Sequence, residues 1–405
     1  MKKQSQICVV GNGAVGKASA LALAQAGYAV TLLSPSQAES NASKWKASGE
    51  WDSRVYALNH ATKNLLSSLK VWDAMDQARI APIEAMDIKG DDAQHAGHLS
   101  FDAYGAHVGA LAWIVEDGNL NHALDNALQF TQGVEIVQAT ATQMHVDAEE
   151  VQIDLNNGSA IHTSLVLGAD GANSWVRAQT DIGLDYRSYD QLAVVANFSC
   201  DKPHHGVASQ WFLGAEGIVA LLPLAGSQVS LVWSAPDKLA ETLLSETAEQ
   251  LASRLNKLPQ LTLGELHPLP PAVPRGFPLR LMRAHSFAAE RTVLVGDAAH
   301  VFHPLAGQGM NLGFADVIAL LEALGPADAN TDCGDARALQ RYARSRKEEV
   351  LLMQLATDGL ERLFTSDFTP LRVLRNTGMN IVNRVPFLKR SLIKHALGKS
   401  PSIFS

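Results

Sequence analysis

Ile7-Cys8-Val9-Val10-Gly11-Asn12-Gly13-Ala14-Val15-Gly16 carries a short apolar run into a complete GxGxxG turn. The residues that follow, Ala14 to Ala26, have helix-forming composition and close at Gly27, a residue suited to the left-handed cap of a helix end. A second apolar run, Ala29 to Leu33, comes next. Strand, glycine turn, helix and strand in this order build a parallel sheet, so the expected fold class is α/β with a Rossmann-like opening domain. In that setting the first glycine permits the tight turn, the second lets backbone approach a pyrophosphate, and the third lets helix pack on strand. The helix N-terminus adds unpaired N–H groups and a partial positive charge. Gly11, Gly13, Ala14 and Gly16 are therefore candidate cofactor-binding residues; the alternative for such a turn is a purely structural one.

One part of the dinucleotide pattern is missing. The second strand of such folds commonly ends in Asp or Glu, which holds the ribose hydroxyls, whereas here it reads Leu33-Ser34-Pro35. Ser34 can hydrogen-bond a hydroxyl, but without charge assistance. Glu39, in the loop beyond, is the weaker substitute.

Working outward, Leu120, Leu124, Ala127 and Leu128 fall on one helical face, and alternating stretches around Gln143 and Val151 with Asn156-Asn157-Gly158 signal a hairpin. Leu165 to Leu167 reads as a buried strand running into Gly168-Ala169-Asp170-Gly171. From Ile182 to His285 the texture changes to short strands punctuated by Gly and Pro, with only Pro236 to Leu255 helical, which describes an inserted antiparallel sheet. The domains expected are 1–181, an inserted sheet domain over 182–285 with 80–112 a candidate to join it, a return to the first domain over 286–355, and a helical, basic segment over 356–405.

Gly296-Asp297-Ala298-Ala299-His300, then Pro304-Leu305-Ala306-Gly307-Gln308-Gly309-Met310-Asn311, form a second and more specific signal after the apolar run Thr292 to Val295. An Asp after a buried strand can accept hydrogen bonds from a ribitol, and the Gly-Gln-Gly-Met-Asn stretch opens a new helix whose exposed amides can face the electron-rich end of a reduced flavin. Small residues here allow close backbone approach, which a plain connection would not need. His300 and His303 are candidate acid–base groups, because histidine is the residue type suited to proton transfer near neutral pH, but histidines in such turns more often tie backbone together. Trp211, Phe212, Leu221, Leu222 and Trp233 could line an aromatic pocket, though core is the ordinary fate of such residues.

Composition narrows the classes. A chain of 405 residues, 47% of them apolar, can bury a sizeable core. Cys8, Cys200 and Cys333 form no CxxC or Cys/His spacing, which argues against a disulfide framework or a metal site and favours a reducing, cytoplasmic setting. Lys2 and Lys3 imitate a signal-peptide start, but Gly11, Gly13 and Gly16 break the apolar stretch behind them, and no run is long enough to span a membrane. The net charge of -8 disfavours nucleic acid as a partner. From Leu371 to Ser405, however, there is no acidic residue, while Arg372, Arg375, Arg384, Lys389, Arg390, Lys394 and Lys399 are basic. That tail fits an interfacial segment on an anionic membrane surface, or an amphipathic helix packed on the cofactor domain.

Gly11 to Gly16, Gly168 to Arg177 and Gly296 to Asn311 occur in the order and kind found in the flavoprotein aromatic hydroxylases of the para-hydroxybenzoate hydroxylase superfamily, and the resemblance spans nearly the whole chain. Asp52-Ser53-Arg54-Val55-Tyr56-Ala57-Leu58, Trp113-Ile114-Val115-Glu116-Asp117 and the tail from Leu371 to Gly398 resemble its ubiquinone-biosynthesis branch, the 2-polyprenylphenol hydroxylase type. The resemblance implies FAD, with the glycine turn on its pyrophosphate, Arg54 contacting it from a loop, Asp297 on the ribityl chain, and Asp170 and Gly171 serving both FAD and a transient NAD(P)H. Pro304, Gly307, Gln308, Gly309, Met310 and Asn311 would border the isoalloxazine, with Gln308, Gly309 and His303 as the catalytic positions. The implied reaction is hydroxylation of a polyprenylphenol by O2 through a flavin C4a-hydroperoxide. The implied setting is cytoplasmic, with peripheral membrane contact and membership of a biosynthetic complex. Two rivals stand beside it, a reductase or dehydrogenase of the same fold and a non-catalytic flavin-binding member of a complex.

Overall fold

Parallel pairing of the opening strands fixes where everything else goes. The computed structural model describes residues 2–35, 50–91, 97–270, 273–302, 308–328 and 332–365, together with 376, 379, 380 and 383. The first sheet contains β1 (Lys2–Val10), β2 (Val30–Ser34), β8 (Val134–Gln138), β9 (Ala141–Val146), β10 (Val151–Leu155), β11 (Ala160–Gly168), β18 (Ala288–Ala289) and β19 (Thr292–Leu294), along the path β18-β19-β11-β1-β2-β8 with β10 and β9 branching from β11. β1 lies parallel between β11 and β2, and β11 lies parallel to β19. In register, Val10 faces both Gly168 and Leu33, and Gly168 faces Leu294. The three glycine-bearing loops of the sequence thus leave one edge of one sheet, at the carboxyl ends of adjacent strands, where parallel sheets bind ligands.

β2 starts at Val30 and runs to Ser34, one residue later than the hydrophobic run suggests. The Asn156-Asn157-Gly158 turn joins β10 to β11, with Gly158 in the left-handed region at φ +80°, while β9 and β10 are joined by a separate turn at Asp147. The stretch Pro236 to Leu255 divides into α5 (Asp237–Ser245) and α6 (Ala248–Leu255), because Thr247 and Gln250 form a reciprocal capping box that starts a new helix. The preceding helices are α1 (Ala14–Gln25), α2 (His60–Ser68), α3 (Asp117–Phe130) and α4 (Trp175–Gln179). Beyond them lie α7 (Gln308–Leu324) and the long α8 (Ala336–Thr365).

A second, nine-stranded sheet takes β5 (Ala85–Lys89), β6 (His98–Asp102), β12 (Leu184–Cys200), β13 (Val207–Phe212), β14 (Ile218–Leu224), β15 (Gln228–Pro236), β16 (Leu266–Pro268), β17 (Arg275–Ala284) and β20 (His300–Val301). Part of the 80–112 stretch, β5 and β6, therefore pairs into this sheet through β13. A three-stranded sheet of β3 (Val55–Leu58), β7 (Ala112–Glu116) and β4 (Ala81–Ile83) lies against it. Trp211, Leu221 and Trp233 are buried in one core on the outer face of the large sheet, which settles their role as packing; each contributes on the order of 2 kcal/mol or more by burial. Leu222 instead points to the opposite face, toward the three-stranded sheet.

β6 is an edge strand, and edges need cover. Asn376, Asn380 and Asn383, spaced i, i+4, i+7, accept from the backbone N–H of Gly97 at 2.8 Å, His98 at 3.0 Å and Ser100 at 3.3 Å. Met379 from the same segment packs with Phe212 and Ile218. The described positions of the tail thus pack on the nine-stranded sheet; its basic residues all lie outside the described residues. No described helix is long and apolar enough to cross a membrane.

Candidate functional site

At the start of α1, Gly13 makes no side-chain cap, so the first-turn N–H groups of this helix end remain available to an anion. Gly11 has φ +113°, and a Cβ there would stand 2.4 Å from the Ala169 carbonyl oxygen. A Cβ on Gly16 would stand 2.1 Å from the Gly11 oxygen. Gly13 meets nothing within 4 Å, which leaves its face open for an approaching group. These three positions show the division of labour that the sequence spacing predicts: turn, approach, helix packing.

A cavity of about 440 Å³ opens from this turn, lined by Gly11, Asn12 and Gly13, by Leu33 and Pro35, by Ala139 to Ala141, and by Ala169, Asp170, Gly171 and Trp175. Asp170 accepts from the Val176 amide at 3.0 Å through Oδ2, while its Oδ1 is buried without a hydrogen-bond partner. An unpaired buried carboxylate oxygen beside a cavity and a free helix N-terminus is what a bound dinucleotide would complete. The residues fit FAD on these grounds. Ser34 does not line this cavity. It is buried and its hydroxyl donates to the Pro35 carbonyl at 3.2 Å, so the hydroxyl expected to meet a ribose is turned to its own backbone. Glu39 lies outside the described residues.

Arg54 comes from the segment before β3. That strand pairs antiparallel with β7, Val55 opposite Glu116 and Leu58 opposite Trp113, so the two sequence stretches Asp52 to Leu58 and Trp113 to Asp117 form one unit. Its lock is Glu116, which is fully buried. Arg79 donates to both Glu116 oxygens at 2.7 Å, and the Asp52 amide donates to Oε1 at 2.7 Å. Asp52 in turn accepts from the Arg54 amide at 3.0 Å and the Gly118 amide at 3.1 Å. Tyr56 donates to Asp117 at 2.7 Å and lies under the Arg54 guanidinium, 5.5 Å from ring centroid to Cζ. Tyr56, against the counter-effect of burial, holds the Arg54 guanidinium above its ordinary range, with Asp117, Asp297 and Asp52 adding to it.

Asp297 stands exposed at the turn after β19, in the field of Arg54 and Arg280. Desolvation by the surrounding cleft raises its carboxyl, and His300, Arg54 and Arg280 pull it back. Gly296 reaches φ +58° to make the turn. Arg177 bridges this turn to the Asp170 loop, donating to the Ala298 carbonyl at 2.8 Å and the Ala172 carbonyl at 2.9 Å; burial lowers its guanidinium. Beneath the turn, Asp316 accepts from the Gly296 amide at 2.8 Å, from His300 Nε2 at 2.8 Å and from Arg346 Nε at 2.6 Å. His300 therefore ties backbone and helix together, stacked on Phe302 at 5.5 Å, in keeping with the structural alternative for this histidine.

Asn311 is likewise spent on the protein. Its Oδ1 accepts from the Asn59 amide at 3.0 Å and Thr62 Oγ1 at 2.8 Å, and its Nδ2 donates to the Ala57 carbonyl at 2.8 Å. Asn311 thereby clamps α7 to β3, so what it offers a flavin is the position of its helix rather than a free amide. Gln308 opens α7, Gly309 is exposed and Met310 is half-buried against the core. His303, Pro304 and Gly307 lie outside the described residues. Sequence reasoning missed Glu116 as a lock, Arg177 as a bridge, and the Asp316–Arg346 pair. A charged residue in an apolar helical stretch, such as Asp316 between Ala315 and Val317, was the available signal.

Residues 4–353 match the family model described as an FAD binding domain. The chain is 34% identical over 399 residues to 3-demethoxyubiquinol 3-hydroxylase of Escherichia coli (strain K12), covering 97% of this chain and 98% of that one. It is also 34% identical to ubiquinone hydroxylase UbiL of Rhodospirillum rubrum, covering 98% and 90%. Among solved structures, p-nitrophenol 4-monooxygenase PnpA from Pseudomonas putida DLL-E4 superposes with a TM-score of 0.76 at 18% identity, covering 97% of each chain, a likeness of fold.

Proposed function

Because this chain belongs to the FAD-binding-domain family, we propose that it is a flavin-dependent monooxygenase that hydroxylates the aromatic ring of a polyprenylated phenol in ubiquinone biosynthesis, with NAD(P)H as electron donor and O2 as oxidant. One observation carries the reading: three cofactor loops leave adjacent parallel strands at one sheet edge, on a chain similar along nearly its whole length to ubiquinone hydroxylases.

When bound, FAD supplies the electron transfer and oxygen activation. Gly11, Gly13, Ala14 and Gly16 hold its pyrophosphate, Arg54 contacts it, Asp297 holds its ribityl chain, and Asp170 and Gly171 serve it and the nicotinamide donor. Pro304, Gly307, Gln308, Gly309, Met310 and Asn311 would border the ring, with Gln308, Gly309 and His303 as the catalytic positions. Around these groups the chain orients the phenol and excludes water, since a wet site would release peroxide in place of product. The basic residues of the tail meet the membrane surface in which a polyprenyl chain dissolves, and link the enzyme to a biosynthetic complex; each contributes on the order of 1 kcal/mol near an anionic surface.

The test is NAD(P)H oxidation by the FAD-loaded protein with a short-chain prenylphenol, with product mass and peroxide measured together. A gain of one oxygen atom with little peroxide is expected; steady NAD(P)H oxidation without oxygenated product overturns the hydroxylase reading. Flotation with anionic vesicles tests the tail, and unchanged flotation after removal of the residues beyond Phe368 overturns the membrane contact.

A further inference from the structure

Three buried oxygens without hydrogen-bond partners gather on one face of the nine-stranded sheet: Asn197 Oδ1, Gln228 Oε1 and Ser230 Oγ. Asn197 on β12 stands opposite Ser230 on β15, and Ser199 stands opposite Gln228. Directly opposed residues have Cβ atoms about 5 Å apart and diagonal ones about 7 to 8 Å, so the three polar ends are within reach of one small group. Asn197 is 7% exposed and Ser230 0%. The alternate residues Phe198, Val229 and Leu231 fill the core on the other face. The polar face looks instead toward the three-stranded sheet, where Leu222 and Leu224, the β14 neighbours of Ser230 and Gln228, pack with Val55 and Ala57.

The orientation of Asn197 is fixed. Its Nδ2 donates to the Asp52 carbonyl at 3.0 Å and the Trp51 carbonyl at 3.5 Å, so the acceptor end is the free one. Each buried unpaired polar group is a loss that an apolar residue would avoid, and a cluster of them on an otherwise apolar face calls for a ligand. Two amide oxygens can only accept; the hydroxyl can do either. The complementary group is a neutral O–H donor, since a carboxylate or phenolate would face lone pairs. Building on the hydroxylase reading, we infer that Asn197 and Ser230, with Gln228 beside them, form the polar end of the substrate site and hold the phenolic hydroxyl in its protonated form, with Leu222 and Leu224 as apolar wall. The same amide tethers the segment that carries Arg54, two residues after Asp52, so ring binding and cofactor contact share one side chain.

The test is equilibrium binding of a short-chain prenylphenol and of the prenylbenzene that lacks the hydroxyl, by calorimetry on the FAD-loaded protein, in wild type and Ser230→Ala. The variant removes an unpaired hydroxyl, so the ligand-free protein should melt at the same temperature or higher. Phenol affinity should fall roughly three- to tenfold while prenylbenzene affinity stays the same. Parallel changes for both ligands, or none for either, overturn the proposal. So does a crystal structure in which a water bridges Asn197 Oδ1 and Ser230 Oγ and stays there with phenol bound. Ser230-dependent phenol binding without any hydroxylated product would leave this site standing and remove the hydroxylase reading.

Discussion

Arg346 reaches across from α8 to set its Nε 2.6 Å from Oδ1 of Asp316 on α7, and both side chains are all but fully buried. The same carboxylate holds the Gly296 amide, so an ion pair between two helices also fixes the backbone from which Asp297 projects. Burial opposes the charge on Asp316, but His300, Arg346 and the Gly296 amide outweigh it and keep its carboxyl below the ordinary range.

Asp316→Asn removes the buried partner of Arg346 and leaves it the half-exposed Glu349, so the loss should lie at the low end of the range for a broken buried pair, about 3 kcal/mol. Chemical denaturation should show that loss together with weaker FAD retention. The sign of the pH effect follows from the lowered carboxyl. Its stabilising contribution is complete above the unfolded carboxyl's value, near pH 4, and disappears as pH falls through the lower folded value. The acid limb of the wild-type stability profile should therefore be steeper than that of Asp316→Asn; coincident limbs would contradict this assignment.

Gly11→Ala and Gly13→Ala should separate folding from cofactor binding. The first places a methyl group against the Ala169 carbonyl at a backbone angle unfavourable to any side chain, and should yield unstable, flavin-free protein. The second meets no protein atom, so the chain should fold with near wild-type stability yet bind FAD roughly tenfold or more weakly. The flavin-to-protein absorbance ratio and a thermal melt on each variant read both quantities.

Ser34→Ala should leave FAD affinity within about twofold of wild type, because the hydroxyl is donated to the Pro35 carbonyl and Ser34 is not among the residues that line the cavity. Titration of apoprotein with FAD, followed by flavin fluorescence, checks this; a tenfold loss would mean that the hydroxyl turns to the ribose when the cofactor binds.

Glu116→Gln should weaken the unit that presents Arg54. The glutamate is fully buried while Arg79 is partly exposed, so the loss should lie below the range for a fully buried pair, at about 2 kcal/mol. Limited proteolysis should then cut between Trp51 and Val55 faster than in wild type.

What the sequence determined by itself is local in its physics. The glycine turn at Gly11 to Gly16, the change at Ile182 to short strands punctuated by Gly and Pro, and the Gly296–Asp297 turn were legible because backbone angles and side-chain periodicity depend on neighbours a few residues away. The extra strands β5 and β6 were legible only as a candidate, since pairing with β13 closes a loop of more than a hundred residues. Tertiary structure alone decided that Ser34 donates to the Pro35 carbonyl, that Arg177 bridges the Asp170 and Gly296 loops, that Asn311 is consumed by Asn59, Thr62 and Ala57, and that Asn376, Asn380 and Asn383 cover a sheet edge. Each of these is a polar group whose partner lies on a neighbouring carbonyl or far along the chain. Which partner it takes is set by the need to satisfy buried hydrogen bonds once the sheets have packed, a condition that no window of sequence contains.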